Sequence, residues 1–305
     1  MEFDNKKLRE ILSTSIKEFN AQALAEADRN LTSKQREEWN AIYASFDSRS
    51  ILQGVVCGLE GVSIPTDKRD ESGLVVMESL PCLVVVQYLV KVLIPAPFFQ
   101  MDDRVSFNLN SAIGAKVDYI IIGVDRAGEC AVASRAMAME QQSWYAREVQ
   151  CIQAGDVIPA SVLAVGPTRL TLTACGYDTT PAQPGLSYNY LDDLREVYHT
   201  GQELNAKVLD INDGMLSLSV RDVGPDPYQN AALRHPVGSS RIATIVSKSH
   251  GGIFCRLMDG CTVVCKYAQQ FTDSEFKPGD RVVVLIRSYD DNHHWIRGKI
   301  RAKLG

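Results

Sequence analysis

Cysteine pairs at metal-binding spacing, an unbroken long apolar run and an excess of positive charge are all missing from this chain of 305 residues. Each absence excludes a class of protein. The eight cysteines, at 57, 82, 130, 151, 175, 255, 261 and 265, are too sparse for a secreted disulfide framework and include no C-x-x-C pair, which predicts a reduced, cytoplasmic protein without a zinc site. His250, His293 and His294 lie near the last three cysteines in sequence, but not at zinc-site spacing. The most apolar stretch, Leu83 to Phe99, is interrupted by Gln87, Tyr88, Lys91, Pro95 and Pro97, so it reads as buried strands and predicts no membrane span. The N-terminal MEFDNKKLREI has no apolar core of signal-peptide length. There is no phosphate-cradling glycine loop, no G-x-S-x-G elbow and no H-E-x-x-H. Asp192–Asp193 and Asp290–Asp291 read as polar loops. The expectation is a protein that is not an enzyme and needs no cofactor.

The net charge of −5 argues against a partner rich in phosphate, but the average conceals an asymmetry. Residues 1–48, 49–149 and 150–222 are each net acidic, whereas residues 235–305 hold eleven Lys and Arg against six Asp and Glu, with four of the five histidines. A basic footprint therefore sits at one end of the chain.

An internal repeat organises the rest. GAKVDYIIIGVD from Gly114, GQELNAKVLDIN from Gly201 and GDRVVVLIRSYD from Gly279 each place a turn glycine before a β-rich run ending in Asp or Asn. Each is followed by a strand with a basic residue near its end, Arg135, Arg221 and Lys299, at 21, 20 and 20 residues from the glycine. Upstream of the second and third copies, GDVIPASVLAVGPTRLTLTACG from Gly155 and GSSRIATIVSKSHGGIFCRLMDGC from Gly238 both read strand, turn, strand, turn. Together these halves make five short strands in a small, partly open Greek-key barrel. The first copy is expanded: its opening strand spans residues 51–57, and an insertion carries the charged turn PTDKRDESG, residues 65–73. Before the barrels, residues 4–46 have helical apolar spacing at Leu8, Ile11, Leu12, Ile16 and Phe19, and Thr32 caps a second helix with Gln35 three residues on. This helical segment either docks a partner or packs on the first barrel. The predicted organisation is mainly β: a helical arm 1–48, a diverged barrel 49–149, an acidic barrel 150–228 and a basic barrel 235–305.

GDVIPASVLAV with GQELNAKVLDINDGMLSLSVRD resembles the RNA-binding repeat of bacterial ribosomal protein S-one, and SHGGIFCRL and GDRVVVLI resemble its second and fourth strands. The resemblance is close over residues 150–305 and looser over 49–140. It implies tandem OB-fold barrels that bind single-stranded RNA through exposed aromatics flanked by cations, with the ribosome or mRNA as partner. By the same resemblance, Phe254 is the strand-two aromatic and His250 the ring before the turn. The strand-three histidine position is Cys265, a departure that neighbouring Lys266 and Tyr267 could partly replace. The second barrel has no matching aromatic, so it reads as a spacer or protein-contact module.

Period-two alternation marks the same surface without reference to any family. Ile253, Cys255 and Leu257 fall on one face and Phe254 and Arg256 on the other, while Trp295, Arg297 and Lys299 oppose Ile296 and Ile300. Rings beside cations suit single strands, because bases stack on rings while cations follow the phosphates. The candidate RNA-binding residues are Lys248, His250, Phe254, Arg256, Lys266, Tyr267, Arg287, Trp295, Arg297 and Lys299. A different reading makes the chain a protein-interaction or assembly component that uses the same barrels without RNA, docking through residues 1–48 or the second barrel.

Overall fold

The computed structural model describes residues 31–304 apart from 70–74, 88–89, 101–107, 127, 189–190, 192, 213, 250–251 and 267–274. Helix α1 (Ser33–Ser48) leads into the first closed barrel, formed by β1 (Leu52–Arg69), β2 (Val75–Gln87), β3 (Val90–Pro95), β4 (Lys116–Asp125) and β5 (Cys130–Ser134) in the order β1-β2-β3-β5-β4. Helix α2 (Arg135–Glu148) connects it to a second sheet of β6 (Val157–Val165), β7 (Leu170–Ala174), β8 (Tyr177–Thr179), β9 (Glu203–Asn212) and β10 (Met215–Ser219). The third barrel comprises β11 (Ser240–Ser249), β12 (Gly252–Leu257), β13 (Thr262–Lys266), β14 (Arg281–Asp290) and β15 (Trp295–Leu304), closed as β11-β12-β13-β15-β14. In both closed barrels the third and fifth strands pair in parallel and every other pair is antiparallel. This is the five-stranded OB arrangement.

The repeat seen in sequence is a repeat of backbone hydrogen bonds. The N–H groups of Gly114, Gly201 and Gly279 donate to the carbonyls of Val56, Val162 and Ile245, each at 2.8 Å. Those three residues donate back to the carbonyls of Ala115, Gln202 and Asp280. Each sits where the register of its strand slips by one residue, as a β-bulge does when it bends a strand around a barrel. The three glycines have φ of 90°, 80° and 91°, a left-handed conformation that a Cβ would strain. Glycine recurs at this spacing because the barrel corner requires it.

Thr32 and Gln35 form the expected reciprocal cap, with the Thr32 hydroxyl accepting from the Gln35 N–H and the Gln35 carbonyl oxygen accepting from the Thr32 N–H. Helix α1 packs on the first barrel, burying Trp39 and Ile42 among Val56, Val85, Tyr119 and Ile121. Arg126 lies 4.1 Å over the Trp39 ring. The stripe at Leu8, Ile11, Leu12, Ile16 and Phe19 lies outside the described residues. The expected insertion lengthens a single hairpin: β1 and β2 stay paired from Val56–Val85 out to Arg69–Val75. The second sheet differs from its neighbours because β8 and β10, its outer strands, are not hydrogen-bonded to each other. A turn takes up that space, where Gly185 accepts from Val220 N–H and the Ser219 hydroxyl.

Helix α2 was not legible as an element, and its first residue joins two barrels. Arg135 is 1% exposed. Its guanidinium forms a two-bond fork with the Asp178 carboxylate at 2.9 and 2.7 Å, and also donates to Thr173 Oγ1 and the Phe99 carbonyl. The Phe99 ring lies 4.8 Å away. Thr173 donates in turn to Asp178 at 2.7 Å, so the buried charges have partners on every side. The two sheets also touch backbone to backbone, for a Cβ on Gly201 would lie 2.4 Å from the Gly114 carbonyl oxygen. Removing one partner of a buried pair leaves the other charge uncompensated. Arg135→Leu should therefore cost about 3–5 kcal/mol, and the double variant with Asp178→Leu should recover most of it. Urea unfolding of the four proteins of this cycle checks the coupling, which a single-variant loss below about 1 kcal/mol would rule out.

Candidate nucleic-acid interface

The third barrel separates its side chains cleanly by parity. Ile253, Cys255, Leu257, Val263, Cys265, Ile296 and Ile300 fill the core, leaving Phe254, Arg256, Val264, Lys266, Trp295, Arg297 and Lys299 to alternate outward. Register aligns them across the sheet: Phe254 lies opposite Val264, Val264 beside Arg297, and Lys266 beside Lys299. Cys265 is buried within the core, where burial and its neighbour Cys255 push the thiol pKa strongly upward. It cannot stand in for an outward strand-three histidine.

Arg256, Lys266 and Lys299 are exposed, and Arg287 is exposed at the bulge between Ile286 and Ser288 on β14. Among the described residues none of these four makes an ion pair. Lys248 is half-buried near the end of β11, in register with Ile253. His250 and Tyr267 lie outside the described residues.

Two expectations need correction. Phe254 was expected as an exposed stacking ring. It does point outward, but it is only 7% exposed, because Trp295 meets it edge-on at 5.5 Å with an interplanar angle of 84° and it sits in register between Ser247 and Val264. Arg297 was expected as an RNA-binding cation beside Trp295, yet its guanidinium pairs with Asp290 at 2.5 Å. The more accessible ring is Trp295, half-buried, with the His293 imidazole stacked on it at 5.0 Å and 25°. Asp290 holds both neighbours in place, accepting from Arg297 and pairing with His293 Nδ1 at 3.0 Å. Those hydrogen bonds, Arg297 first, hold the Asp290 carboxyl down at about 2.

His293 and Arg301 lie outside the candidate residues named from alternation and resemblance. The alternation that reveals Trp295, Arg297 and Lys299 continues to Arg301, which is exposed. DDNHHW reads as a hairpin turn, but nothing in the sequence lays the His293 ring on Trp295.

One side-chain cluster has the look of a metal site. His235, Asp259 and Cys261 bring their ligand atoms within 4.8 Å of one another. Their hydrogen bonds argue for a different role. Arg241 Nε donates to His235 Nδ1 at 3.2 Å, so the ring proton lies on Nε2, which faces Asp259 at 2.7 Å. Arg234 reaches both Asp259 and Cys261, and the thiol donates to the Pro227 carbonyl at 2.7 Å. Burial pushes the Cys261 thiol up to about 11. A protonated thiol, a committed imidazole and two guanidiniums do not suit a cation. The network instead fastens the segment before β11 to the β12–β13 turn. Burial works to raise the Asp259 pKa, but hydrogen bonds from His235, the Cys261 N–H and Arg234 overcome it and hold the group at about 2. A depressed folded pKa stabilises the fold above the ordinary value of 3.8, and that contribution is lost as pH falls from 3.8 through about 2. Asp259→Asn should flatten this part of the acid limb in melting curves taken between pH 5 and pH 2. An unchanged acid limb would show that the network adds nothing.

No family model matches the chain. Small ribosomal subunit protein bS1 of Neisseria meningitidis is 23% identical over 283 residues, covering 89% of this chain and 46% of that protein. The bS1 protein of Pseudomonas aeruginosa is 20% identical over 274 residues, covering 86% and 45%. The chain thus spans about half the length of these curated relatives. Among solved structures, a multidomain protein with nucleic acid binding domains from Streptococcus pneumoniae is 9% identical and covers 83% of this chain and 73% of its own, with a TM-score of 0.20. Drosophila Unr CSD456 is 11% identical, covers 84% and 98%, and also has a TM-score of 0.20. The fold assignment rests on strand order and register. By sequence the chain is similar over most of its length to bacterial small ribosomal subunit protein bS1, and its strands build tandem barrels of the OB type.

Proposed function

We propose that this chain binds single-stranded RNA without catalysis, chiefly through the outer face of its third barrel. The observation that carries the reading is one sheet surface on which Arg256, Lys266, Arg287 and Lys299 are exposed with no described acidic partner, beside the half-buried Trp295 ring with His293 stacked on it. Lys266 and Lys299 lie abreast on adjacent strands and would hold neighbouring phosphates, with Lys248 and Arg256 at the β11–β12 side. Trp295 would take a base, and Phe254 would support it from beneath. Arg297 would orient through Asp290 and meet phosphate only by leaving that carboxylate. The similarity to bS1 supports the same reading, and makes the ribosome or mRNA the natural partner of a cytoplasmic protein. Among the described residues no helix is long and apolar enough to cross a membrane. In this reading the chain comprises modules 49–149, 150–228 and 235–305, preceded by the helical arm.

Phosphate contacts set the salt dependence and stacked bases the residual affinity. In fluorescence anisotropy of the full chain with a short unstructured RNA, Lys266→Gln/Lys299→Gln should lower the slope of log affinity against log salt by about 1.4, or roughly 0.7 for each phosphate contact. Trp295→Ala should weaken binding about 5- to 150-fold at every salt concentration, as expected for one stacked base at about 1–3 kcal/mol. Absence of binding at low salt would overturn the proposal.

A specific observation favours protein docking as the second reading. Val157, Leu209 and Met215 are each about half exposed on the second sheet, and residues 150–222 are net acidic, a charge that repels a polyanion and not a protein partner.

A further inference from the structure

Helix α2 and the edges of the first two barrels enclose a concavity that the third-barrel reading does not use. It is lined by Ile51, Gln141, Gln142, Trp144, Tyr145, Gln150 and Cys175, with a volume of about 420 Å³. Its chemistry is unusual for the surface of an acidic protein. Among the described residues no lining side chain is charged, and burial pushes the Cys175 thiol upward, so it stays protonated. Two aromatic rings on consecutive residues are about half exposed, Trp144 at 55% and Tyr145 at 48%. Three primary amides stand around them. Gln142 commits its Nε2 to Asp118 at 2.8 Å, which leaves its carbonyl oxygen as an acceptor. The amides of Gln141 and Gln150 have no hydrogen-bond partner among the described residues.

Helical periodicity does not require exposed rings here. Helix α2 is anchored by Arg135, Ala138, Met139, Ser143 and Ala146, so Trp144 and Tyr145 add nothing to that buried face. Large rings left in water beside uncommitted amides describe a receptor for a flat, uncharged group with hydrogen-bonding edges. A nucleobase is such a group: its face stacks on indole or phenol, and its edge exchanges hydrogen bonds with amides. The absence of cations excludes the phosphate as the recognised part.

We propose that this concavity is a second, phosphate-independent contact for RNA, which captures one unstacked nucleobase between the Trp144–Tyr145 rings and the amides of Gln141, Gln142 and Gln150. The proposal rests on the RNA-binding reading above and adds a site in a different module.

The three tryptophans of the chain allow the two ideas to be tested separately. Trp39 is buried under helix α1, Trp144 lies in the concavity and Trp295 lies on the third barrel. Full-length protein labelled with 5-fluorotryptophan gives one fluorine resonance for each, assigned by single Trp→Phe variants. Oligouridylate should move the Trp144 and Trp295 signals and leave Trp39 in place, whereas an abasic oligomer of equal length should leave Trp144 unmoved. Millimolar uridine or adenosine should move Trp144 alone or ahead of Trp295. Gln141→Ala/Gln150→Ala should reduce the nucleoside response about fivefold or more with an unchanged melting temperature. Movement of Trp295 with a silent Trp144 overturns the base pocket and leaves the third-barrel reading standing. Movement of Trp144 by the abasic oligomer overturns it as well, since phosphate would then be the ligand. If neither signal moves and anisotropy is flat, both readings fall, and a protein partner for the exposed rings takes their place.

Discussion

The buried fork between Arg135 and Asp178 is the constraint on which the arrangement of the first two barrels depends. A guanidinium at 1% exposure is tolerable only where its donors are all met, and the partners come from both modules: Phe99 from the first, Thr173 and Asp178 from the second. The ion pair therefore specifies one docking geometry and would penalise any other with an unpaired buried charge. The close approach of Gly114 to Gly201 and of Gly176 to helix α2 follows from that geometry. Helix α2 is held along its inner face, and its outer rings are left at the surface.

The same repeat position is used in three ways. Arg135 opens helix α2 and turns inward to the next barrel. Arg221 opens a short turn, pairs with Asp222 and lies 5.0 Å over the Tyr188 ring, next to the point where the Tyr188 carbonyl accepts from Thr262 of the third barrel. Lys299 stays within its strand and faces solvent. A basic residue at this repeat position can fasten one module to the next or stand in solvent, and its surroundings decide between the two.

Much of this was legible from residues alone. Glycine spacing located the barrel corners because the bulge bond needs a left-handed residue at that point. Period-two alternation separated core from face in β12 and β15 because the two sides of a barrel wall differ so sharply in polarity. Other features were hidden for physical reasons. The sequence RAMAMEQQSWYARE is rich in strong helix formers and capped by Ser134, but its apolar stripe is weak, so periodicity does not mark α2. The burial of Phe254 and the neutralisation of Arg297 depend on contacts across strands, between residues about 40 positions apart and across a hairpin. Alternation assigns a side to each residue but not a neighbour. Likewise, the cation at Arg135 looked like its counterpart at Lys299, and only the position of Asp178 on a different module distinguishes them.

The seam that closes the third barrel has a consequence of its own. Strands β13 and β15 meet in parallel over only four residue pairs, a pairing somewhat weaker per residue than the antiparallel ones around it. Gly298 sits in that seam with no space for a Cβ, which would come within 2.8 Å of Val263. Lys266 and Lys299 stand on opposite sides of the same line and repel one another across it. A polyanion that bridged them would cancel the repulsion across the one parallel join of this barrel. Occupancy of the surface and closure of the fold are therefore a single equilibrium seen from two sides.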